Sequence, residues 1–262
     1  MFQFYSLYSG STGNCSIVQT EHTKILIDAG ESAKKITEAL QALNINPEDI
    51  NAVLITHEHS DHIKGLGTFS KKYHIPVYAN TETWNAMPLQ TEKIEIENRK
   101  EFLFSTFHIG DFEILPFSIP HDAANPCGFN ITYKNKKISI ATDIGHMNEQ
   151  IIKHLTNSCF ILLEANYDPE ILKCSSYPYP LKQRISGPNG HLSNDMAGKT
   201  ISYLLNSGLQ QVMLGHLSKE NNFPELAYKT VVEQLMENHL SENSIHLSVA
   251  NRYVTSPVIN VS

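Results

Sequence analysis

The sequence has few of the features that mark exported or membrane-bound proteins. Its only cysteines are Cys15, Cys127, Cys159 and Cys174, and no two of them form a CxxC pair. A disulfide framework is not expected at this chain length, so the thiols are predicted to be reduced. No apolar run approaches the roughly 20 residues that span a bilayer, and the N-terminus lacks the basic segment of an export signal. We therefore predict a soluble, cytoplasmic protein with no membrane partner.

An excess of basic residues is also lacking. The chain has 20 Lys and Arg against 27 Asp and Glu, for a net charge of −7, so any contact with nucleic acid would need a local patch. Apolar residues make up 41% and charged residues 18% of the chain, a composition that can bury a core. No linker rich in Pro, Gly or Ser divides the chain, and residues 1–262 are predicted to form a single domain.

Short apolar runs alternate with turn signals and helical segments along the whole chain. Strands are predicted in "FQFYSLYS", "CSIVQT", "KILIDAG" and "AVLIT", and the last strand is expected near "IHLSVA". Helical periodicity marks "ESAKKITEALQALNI" and "SNDMAGKTISYLLNSG", among others. A further helix is expected to begin at "IKGLG". These patterns predict two packed sheets with helices on the outside.

The stretch "THEHSDHIKG" concentrates four possible metal ligands in six positions: His57, His59, Asp61 and His62. Imidazole nitrogen and carboxylate oxygen are usual ligands of zinc and similar divalent ions. Residues i and i+2 of an extended segment point to the same side, and the following helix start turns the next two side chains towards them. No packing requirement explains such spacing, so we predict a metal site here.

Further donors are needed because four ligands do not fill two coordination spheres. The candidates are His121, Asp143 and His216, each of which follows a strand-like run. Strand ends are where sites assemble in open α/β sheets. Asp143 is suited to bridge two ions, since a carboxylate has two oxygens. The isolated histidines are predicted to be ordinary side chains: His22, His74, His108 and His154.

"THEHSDH" matches the HxHxDH signature of the metallo-β-lactamase superfamily, which the chain resembles from "LIDAG" to "GHLS". "KILIDAG", with Asp28, is similar to the first motif of that superfamily, an aspartate that supports the histidine loop. The resemblance implies an α+β fold of the αββα sandwich type, with two mixed β-sheets flanked by helices.

The same resemblance implies a ligand set for each of two divalent ions, zinc or manganese. His57, His59 and His121 would hold the first ion; Asp61, His62 and His216 would hold the second; Asp143 would bridge them. The implied reaction is hydrolysis by a hydroxide held between the two ions, which Asp61 would help to orient.

A narrower resemblance is to the YycJ/WalJ group of this superfamily. It rests on "FYSLYSGSTGNCSIV", "LLEANYD" and "GPNGHLSNDMAGKT". The last two also resemble degenerate forms of the "HEAT" and "HST" motifs of ribonuclease Z, although Leu163 stands where "HEAT" has its histidine. By this resemblance Glu164 and His191 would form a proton donor at the leaving oxygen. The alternatives are a capping carboxylate for Glu164 and a helix N-terminal residue for His191.

The glycine-bearing loop near the N-terminus is the candidate substrate-binding segment. Backbone N–H groups in such a loop can cradle an anion, although the same residue types serve a plain hairpin turn. The predicted substrate-binding residues are Ser9, Gly10, Ser11, Thr12, Gly13 and Asn14.

The resemblance to the YycJ/WalJ group implies an exonuclease-like phosphodiesterase acting on nucleic acid, DNA rather than RNA. The alternative enzyme is a small-molecule hydrolase of the lactone or thioester type. A third possibility is a catalytically idle metal-binding domain that acts through protein contacts. The intact ligand set argues against it, because a structural metal site has no need of an open coordination position. Glu164 and His191 distinguish the phosphodiesterase from the small-molecule hydrolase, because an acyl hydrolase has less need of a proton-donating pair at the leaving group.

Overall fold

The protein is described here by a computed structural model covering residues 1–261, except the side chain of Glu242. Over these residues the chain forms two mixed seven-stranded sheets and ten α-helices. The strands are β1 (Gln3–Tyr8), β2 (Cys15–Gln19), β3 (Lys24–Ile27), β4 (Ala52–Leu54), β5 (Val77–Ala79), β6 (Arg99–Glu101), β7 (Phe107–Ile109), β8 (Phe112–Ser118), β9 (Cys127–Tyr133), β10 (Lys136–Ala141), β11 (Phe160–Glu164), β12 (Gln211–Gly215), β13 (His246–Val249) and β14 (Ile259–Asn260). The helices are α1 (Ala33–Ala42), α2 (Ser60–Ile63), α3 (Leu66–Tyr73), α4 (Thr81–Ala86), α5 (Pro88–Thr91), α6 (Glu149–Leu155), α7 (Pro169–Cys174), α8 (Tyr179–Ile185), α9 (Asn194–Leu204) and α10 (Pro224–Glu237).

The first sheet has the strand order β14-β1-β2-β3-β4-β5-β6. Its pairs from β14 to β3 are antiparallel and those from β3 to β6 are parallel. In the parallel part Leu26 of β3 lies opposite Val53 of β4. Both strands consist largely of buried aliphatic residues, the composition of parallel strands that are covered on both faces.

The second sheet has the order β13-β12-β11-β10-β9-β8-β7 and repeats this division. The β9–β10 pair is antiparallel, whereas β10, β11, β12 and β13 run parallel. All five residues of β11 are buried, including its last residue, Glu164. The carboxyl ends of β10, β11 and β12 therefore lie at one edge of the sheet. Two mixed sheets with helices confirm the predicted fold class.

The chain divides into two compact units. Unit 1 comprises Met1–Pro116, Ala123–Cys127 and the segment from Asn251, and unit 2 comprises Phe117–Asp122 and Gly128–Ala250. Each unit has its own apolar core, which in unit 1 includes Leu26, Val53 and Phe69 and in unit 2 includes Leu163 and Val231. A single domain over residues 1–262 stays a prediction.

Three residues that the sequence analysis singled out directly follow a strand and have left-handed backbone. Asp28 follows β3 with φ 62°, Asp143 follows β10 with φ 60°, and His216 follows β12 with φ 56°. Non-glycine residues seldom adopt this conformation, which costs about 1–3 kcal/mol at each position. Such residues persist only where surrounding contacts fix them. Asp143 and His216 are predicted metal ligands, and Asp28 is the aspartate that the superfamily resemblance assigns to supporting the histidine loop.

Several elements differ from the sequence-based expectation. The helix expected at "IKGLG" begins earlier, at Ser60, because the His59 carbonyl accepts hydrogen bonds from the backbone N–H groups of His62 and Ile63. The strand near "IHLSVA" is not the last, since β14 pairs with β1 near the C-terminus. Two helices, α7 and α8, occupy a proline-rich stretch with no predicted helix. Proline is compatible with a helix start, where its missing N–H has no intrahelical partner.

No helix within residues 1–261 has the length and hydropathy needed to cross a membrane. The cytoplasmic location stays a prediction.

Candidate active site

The histidine loop, residues 56–62, follows β4 and ends in the short helix α2. His57 and His62 are fully buried, and His59 and Asp61 are half-buried. The His57 ring centroid lies 4.6 Å from that of His59 and 4.1 Å from that of His62. Asp61 Oδ2 lies 3.5 Å from His62 Nε2. The structure thus brings together within unit 1 the four donors that the sequence predicted there.

Asp28 supports the histidine loop through a buried carboxylate. Its Oδ1 accepts a hydrogen bond from the backbone N–H of Thr56, at 2.9 Å, and its Oδ2 lies 2.8 Å from His62 Nδ1. The Thr56 hydroxyl donates to Asp28 and lies 3.0 Å from His57 Nδ1. With both Nδ1 atoms engaged, the Nε2 atom of each ring is the one suited to bind a metal.

The predicted substrate-binding loop, residues 9–14, is tied to the histidine loop through Asn14. The Asn14 backbone N–H donates to the Asp61 carbonyl at 2.8 Å, and its side-chain amide lies 3.3 Å from Asp61 Oδ2. The N–H of Gly10 donates to Asn14 Oδ1 and that of Gly13 to the Gly10 carbonyl. These amides are therefore engaged within the protein. Of the loop residues, Ser11 and Thr12 are exposed, and the anion-binding role stays a prediction.

Unit 2 gathers the remaining predicted donors around Asp143. The Nε2 atoms of His121 and His216 lie 3.7 and 3.4 Å from Asp143 Oδ1, and His191 Nδ1 lies 3.7 Å from the same oxygen. His121 donates from Nδ1 to the Gly190 carbonyl at 2.9 Å. Burial lowers the pKa of His121 below its ordinary value, although the Asp143 charge opposes this effect. A neutral imidazole is the form that binds a metal.

Glu164, at the end of β11, is a completely buried carboxylate with four hydrogen-bond donors. Its Oε1 lies 2.8 Å from Nδ1 of both His191 and His216. Its Oε2 accepts from the backbone N–H groups of Ile144, at 2.7 Å, and Leu192, at 3.0 Å. Burial by itself raises the pKa of Glu164, but the His191 charge and the histidine hydrogen bonds outweigh it and hold the pKa well below its usual range. The carboxylate is therefore ionised.

His191 is the most exposed histidine of this cluster, with 20% of its side chain accessible to solvent. Its ring centroid lies 5.1 Å from that of His121 and 5.2 Å from that of His216. Because Nδ1 is bound to Glu164, the other ring nitrogen is available for a proton transfer. The alternative of a helix N-terminal residue does not describe His191, because the N-cap of α9 is Ser193, whose hydroxyl accepts a hydrogen bond from the Met196 N–H.

Two supporting residues, Thr56 and Asn166, were not singled out from the sequence, and Asn14, a predicted substrate-binding residue, has a supporting role as well. Thr56 and Asn14 fix the histidine loop, as described above. Asn166 is buried and donates from its side-chain amide to the His216 carbonyl at 2.8 Å, which holds the left-handed turn at that histidine. Only the tertiary structure reveals that the Asn14 side chain contacts Asp61. The four isolated histidines lie outside both clusters; for example, His74 pairs with Glu95 and His154 stacks on Phe117.

The chemistry of the donor set fits divalent metal ions. In unit 2 one nitrogen or oxygen atom from each of Asp143, Glu164, His191 and His216 lies within 4.8 Å of the others. Imidazole and carboxylate donors of this kind suit zinc and manganese. In both units a carboxylate contacts Nδ1 of a candidate ligand, His62 or His216, and such contacts orient metal-binding histidines.

The amino-acid sequence matches the family model of the metallo-β-lactamase superfamily over residues 8–192. It is 41% identical over 239 residues to "Exodeoxyribonuclease WalJ" of Streptococcus pneumoniae serotype 2 (strain D39 / NCTC 7466), covering 90% of this chain and 89% of the relative. The chain belongs to the metallo-β-lactamase superfamily, in the group of WalJ and YycJ. "Exodeoxyribonuclease YycJ" of Bacillus anthracis is 37% identical over 237 residues, with 89% of each chain covered.

Two solved structures share the fold of this chain. A diphosphatase of the PhnP family superposes with a TM-score of 0.69 at 15% identity, over 100% of this chain and 98% of that one. The short form of human tRNase Z gives a TM-score of 0.65 at 17% identity, over 99% of each chain. The predictions of family, fold class and a metal-dependent hydrolase are confirmed, and the two clusters indicate that the chain binds metal.

The backbone of Asp61 packs closely against Gly30, and a substitution at Gly30 tests whether this packing holds the histidine loop in place. A Cβ atom at this position would lie 1.6 Å from the Asp61 carbonyl oxygen and 2.6 Å from the Asn14 backbone nitrogen. Gly30→Ala must therefore displace backbone, and we expect it to lower the free energy of unfolding by about 1–3 kcal/mol and to reduce bound metal. Urea unfolding and elemental analysis measure the two effects.

Gly208→Asn is the matched control for this substitution. Gly208 has φ 86°, and a Cβ atom added there would meet no atom of the described residues within 4 Å. Asparagine also tolerates left-handed backbone. We expect nearly unchanged stability and metal content. A Gly30→Ala protein as stable and as metal-rich as the control would contradict the close packing of Asp61 against residue 30.

A second test concerns Asp143. Asp143→Asn keeps the shape of the side chain but removes its charge, so we expect bound metal per chain to fall well below that of the unchanged protein. His22→Ala changes an exposed histidine outside the clusters and should leave metal content unchanged. Elemental analysis after gentle purification and metal add-back gives both values, and equal metal content in the two variants would remove Asp143 from the ligand set.

Proposed function

We propose that the chain is an exonuclease-like phosphodiesterase that hydrolyses DNA with the help of two divalent metal ions, zinc or manganese. The observation that carries this proposal is the Glu164–His191 pair, joined at 2.8 Å beside Asp143. Two bound cations would lower the pKa of a water molecule and offset negative charge that develops during hydrolysis. The residues proposed to hold them are His57, His59, Asp61, His62, His121, Asp143 and His216.

The proposed role of His191 is that of a general acid. The leaving group of a phosphodiester is a poorly stabilised alkoxide, so protonation of its oxygen favours bond cleavage. Glu164 accepts the Nδ1 hydrogen bond and fixes the ring, while Nε2 would hold the proton that passes to the leaving oxygen. Asp61 is proposed to orient the attacking water.

The named relatives support DNA as the substrate. The proteins from Streptococcus pneumoniae and Bacillus anthracis are both named exodeoxyribonucleases, and each is aligned over 89% of its length. A lactone or thioester hydrolase is less well supported, because the hydroxyacylglutathione hydrolase of Bdellovibrio bacteriovorus matches only 25% of this chain. The acid pair also favours a phosphodiester, since it serves a strongly basic leaving group.

The acid role predicts a dependence on the leaving group. His191→Ala should slow hydrolysis of a DNA linkage by about 10²–10⁴-fold, the usual contribution of general acid catalysis. A nitrophenyl phosphodiester should be much less affected, because its leaving group needs little protonation. Rates on both substrates are measured at equal metal content, which elemental analysis verifies.

His246→Ala is a suitable control, since His246 is exposed on β13 and should leave both rates unchanged. If His191→Ala slows the two substrates equally at full metal content, the general acid role is wrong. If it lowers metal content, His191 is a ligand instead.

A further inference from the structure

A groove rich in tyrosine lies in unit 2 between the end of β11, α7 and α8. It has a cavity volume of about 550 Å³. The residues that define this tyrosine groove are Tyr167, Leu172, Lys173, Tyr177, Tyr179 and Lys182. It belongs to neither of the two clusters described above, and no catalytic role has been assigned to its residues.

The aromatic rings of the groove differ in exposure. Tyr167 is 8% exposed, Tyr177 is half-buried and Tyr179 is 71% exposed. Pro178 and Pro180 flank Tyr179 and fix the local backbone dihedral φ, which limits the freedom of the chain that carries these rings. Gln183 donates a hydrogen bond to the Tyr179 hydroxyl at 3.0 Å. An exposed aromatic ring on a restrained backbone is suited to stack against a planar ligand.

The groove also carries positive charge in an otherwise acidic protein. Residues 171–191 contain Lys173, Lys182 and Arg184 but no Asp or Glu, whereas the whole chain has a net charge of −7. The Lys182 ammonium donates to the Lys173 carbonyl at 2.7 Å, so it lies against the end of α7. Glu170 lies 3.7 Å from the Lys173 ammonium and Asp122 pairs with Arg184, so these two carboxylates offset part of this charge and leave Lys182 as the main positive group. The remaining positive charge favours an anionic ligand.

The floor of the groove connects directly to the Glu164–His191 pair. Tyr167 lies three residues after Glu164, and its carbonyl accepts a hydrogen bond from the Asn194 N–H at 3.0 Å. Tyr167 also forms a parallel β-bridge with Ser193, two residues after His191. Burial raises the pKa of the Tyr167 hydroxyl, and the charge of Glu164 adds to this effect. A ligand in the groove is therefore close to the proposed general acid.

We propose that the tyrosine groove binds the single-stranded end of the nucleic acid substrate. Bases stack on Tyr177 and Tyr179, and the ammonium groups of Lys173 and Lys182 contact phosphates. Stacking on aromatic side chains and backbone charge contacts are how proteins bind single strands. The faces of bases inside a duplex are already stacked on one another, so a duplex would not use the rings. This inference rests on the proposed function and specifies the form of its substrate.

The test compares binding of two labelled oligonucleotides in the absence of turnover. Fluorescence anisotropy measures the Kd for single-stranded DNA and for an abasic strand of equal length, with the metal chelated. The variant Tyr177→Leu/Tyr179→Leu keeps apolar bulk but loses both aromatic faces. We expect its Kd for single-stranded DNA to rise at least about tenfold, since stacking contributes roughly that factor per base. Its Kd for the abasic strand should change little.

Two control variants separate stacking from general damage. Tyr177→Phe/Tyr179→Phe retains the rings and should bind within about twofold of the unchanged protein. Tyr203→Leu removes another tyrosine, 67% exposed on α9 and outside the groove, and should have no effect. An equal loss of affinity for both strands in the double Leu variant, or no loss at all, would overturn the proposal.

Hydrolysis of a nitrophenyl phosphodiester distinguishes failure of this inference from failure of the proposed function. We expect the double Leu variant to retain the rate on this small substrate and to show a raised KM on single-stranded DNA. Unchanged KM values in a protein that degrades DNA would reject the groove alone. Inability of the unchanged, metal-loaded protein to cleave either substrate would reject the proposed function.

Discussion

The arrangement of unit 2 depends on one buried carboxylate. Glu164 is inaccessible to solvent and ionised, a state that costs several kcal/mol unless donors compensate for lost hydration. Four donors do so: the Nδ1 atoms of His191 and His216 and the backbone N–H groups of Ile144 and Leu192. Hydrogen bonds to a charged group contribute about 1.5–3 kcal/mol each. The same contacts hold together the end of β10, the end of β12 and the segment before α9.

Unit 1 follows the same principle with a different carboxylate. Asp28 binds Nδ1 of His62 and, through the Thr56 hydroxyl, is connected to Nδ1 of His57. Each carboxylate thus fixes the ring that presents Nε2 as a possible ligand. Asp28, Asp143 and His216 hold unfavourable left-handed backbone at strand ends, and the hydrogen-bonded networks around them offset that strain. A preorganised set of donors is the physical basis for metal binding proposed here.

Much of the fold and of the candidate site could be predicted, because it follows from local sequence patterns. The spacing of His57, His59, Asp61 and His62 indicates metal binding by itself, and buried aliphatic runs mark the strands that position them. The contacts of Glu164 with both His191 and His216 could not be predicted, since His216 is 52 residues away in the sequence. Nor could the helices α7 and α8, because prolines there indicate a loop as readily as a helix start. For Glu164, the deciding contact joins segments that are distant in the sequence.

The central claim is that Glu164 orients His216 for metal binding while it fixes His191. The most direct measurement is the zinc affinity of Glu164→Gln, determined by competition with a chromogenic chelator, with Glu220→Gln, exposed after β12, as the control. Glutamine keeps the shape but loses the charge and one acceptor oxygen, and loss of such a supporting contact typically weakens metal binding about 10–100-fold. We predict a loss in that range for Glu164→Gln and none for Glu220→Gln. Equal zinc affinity in the two folded variants would contradict the account.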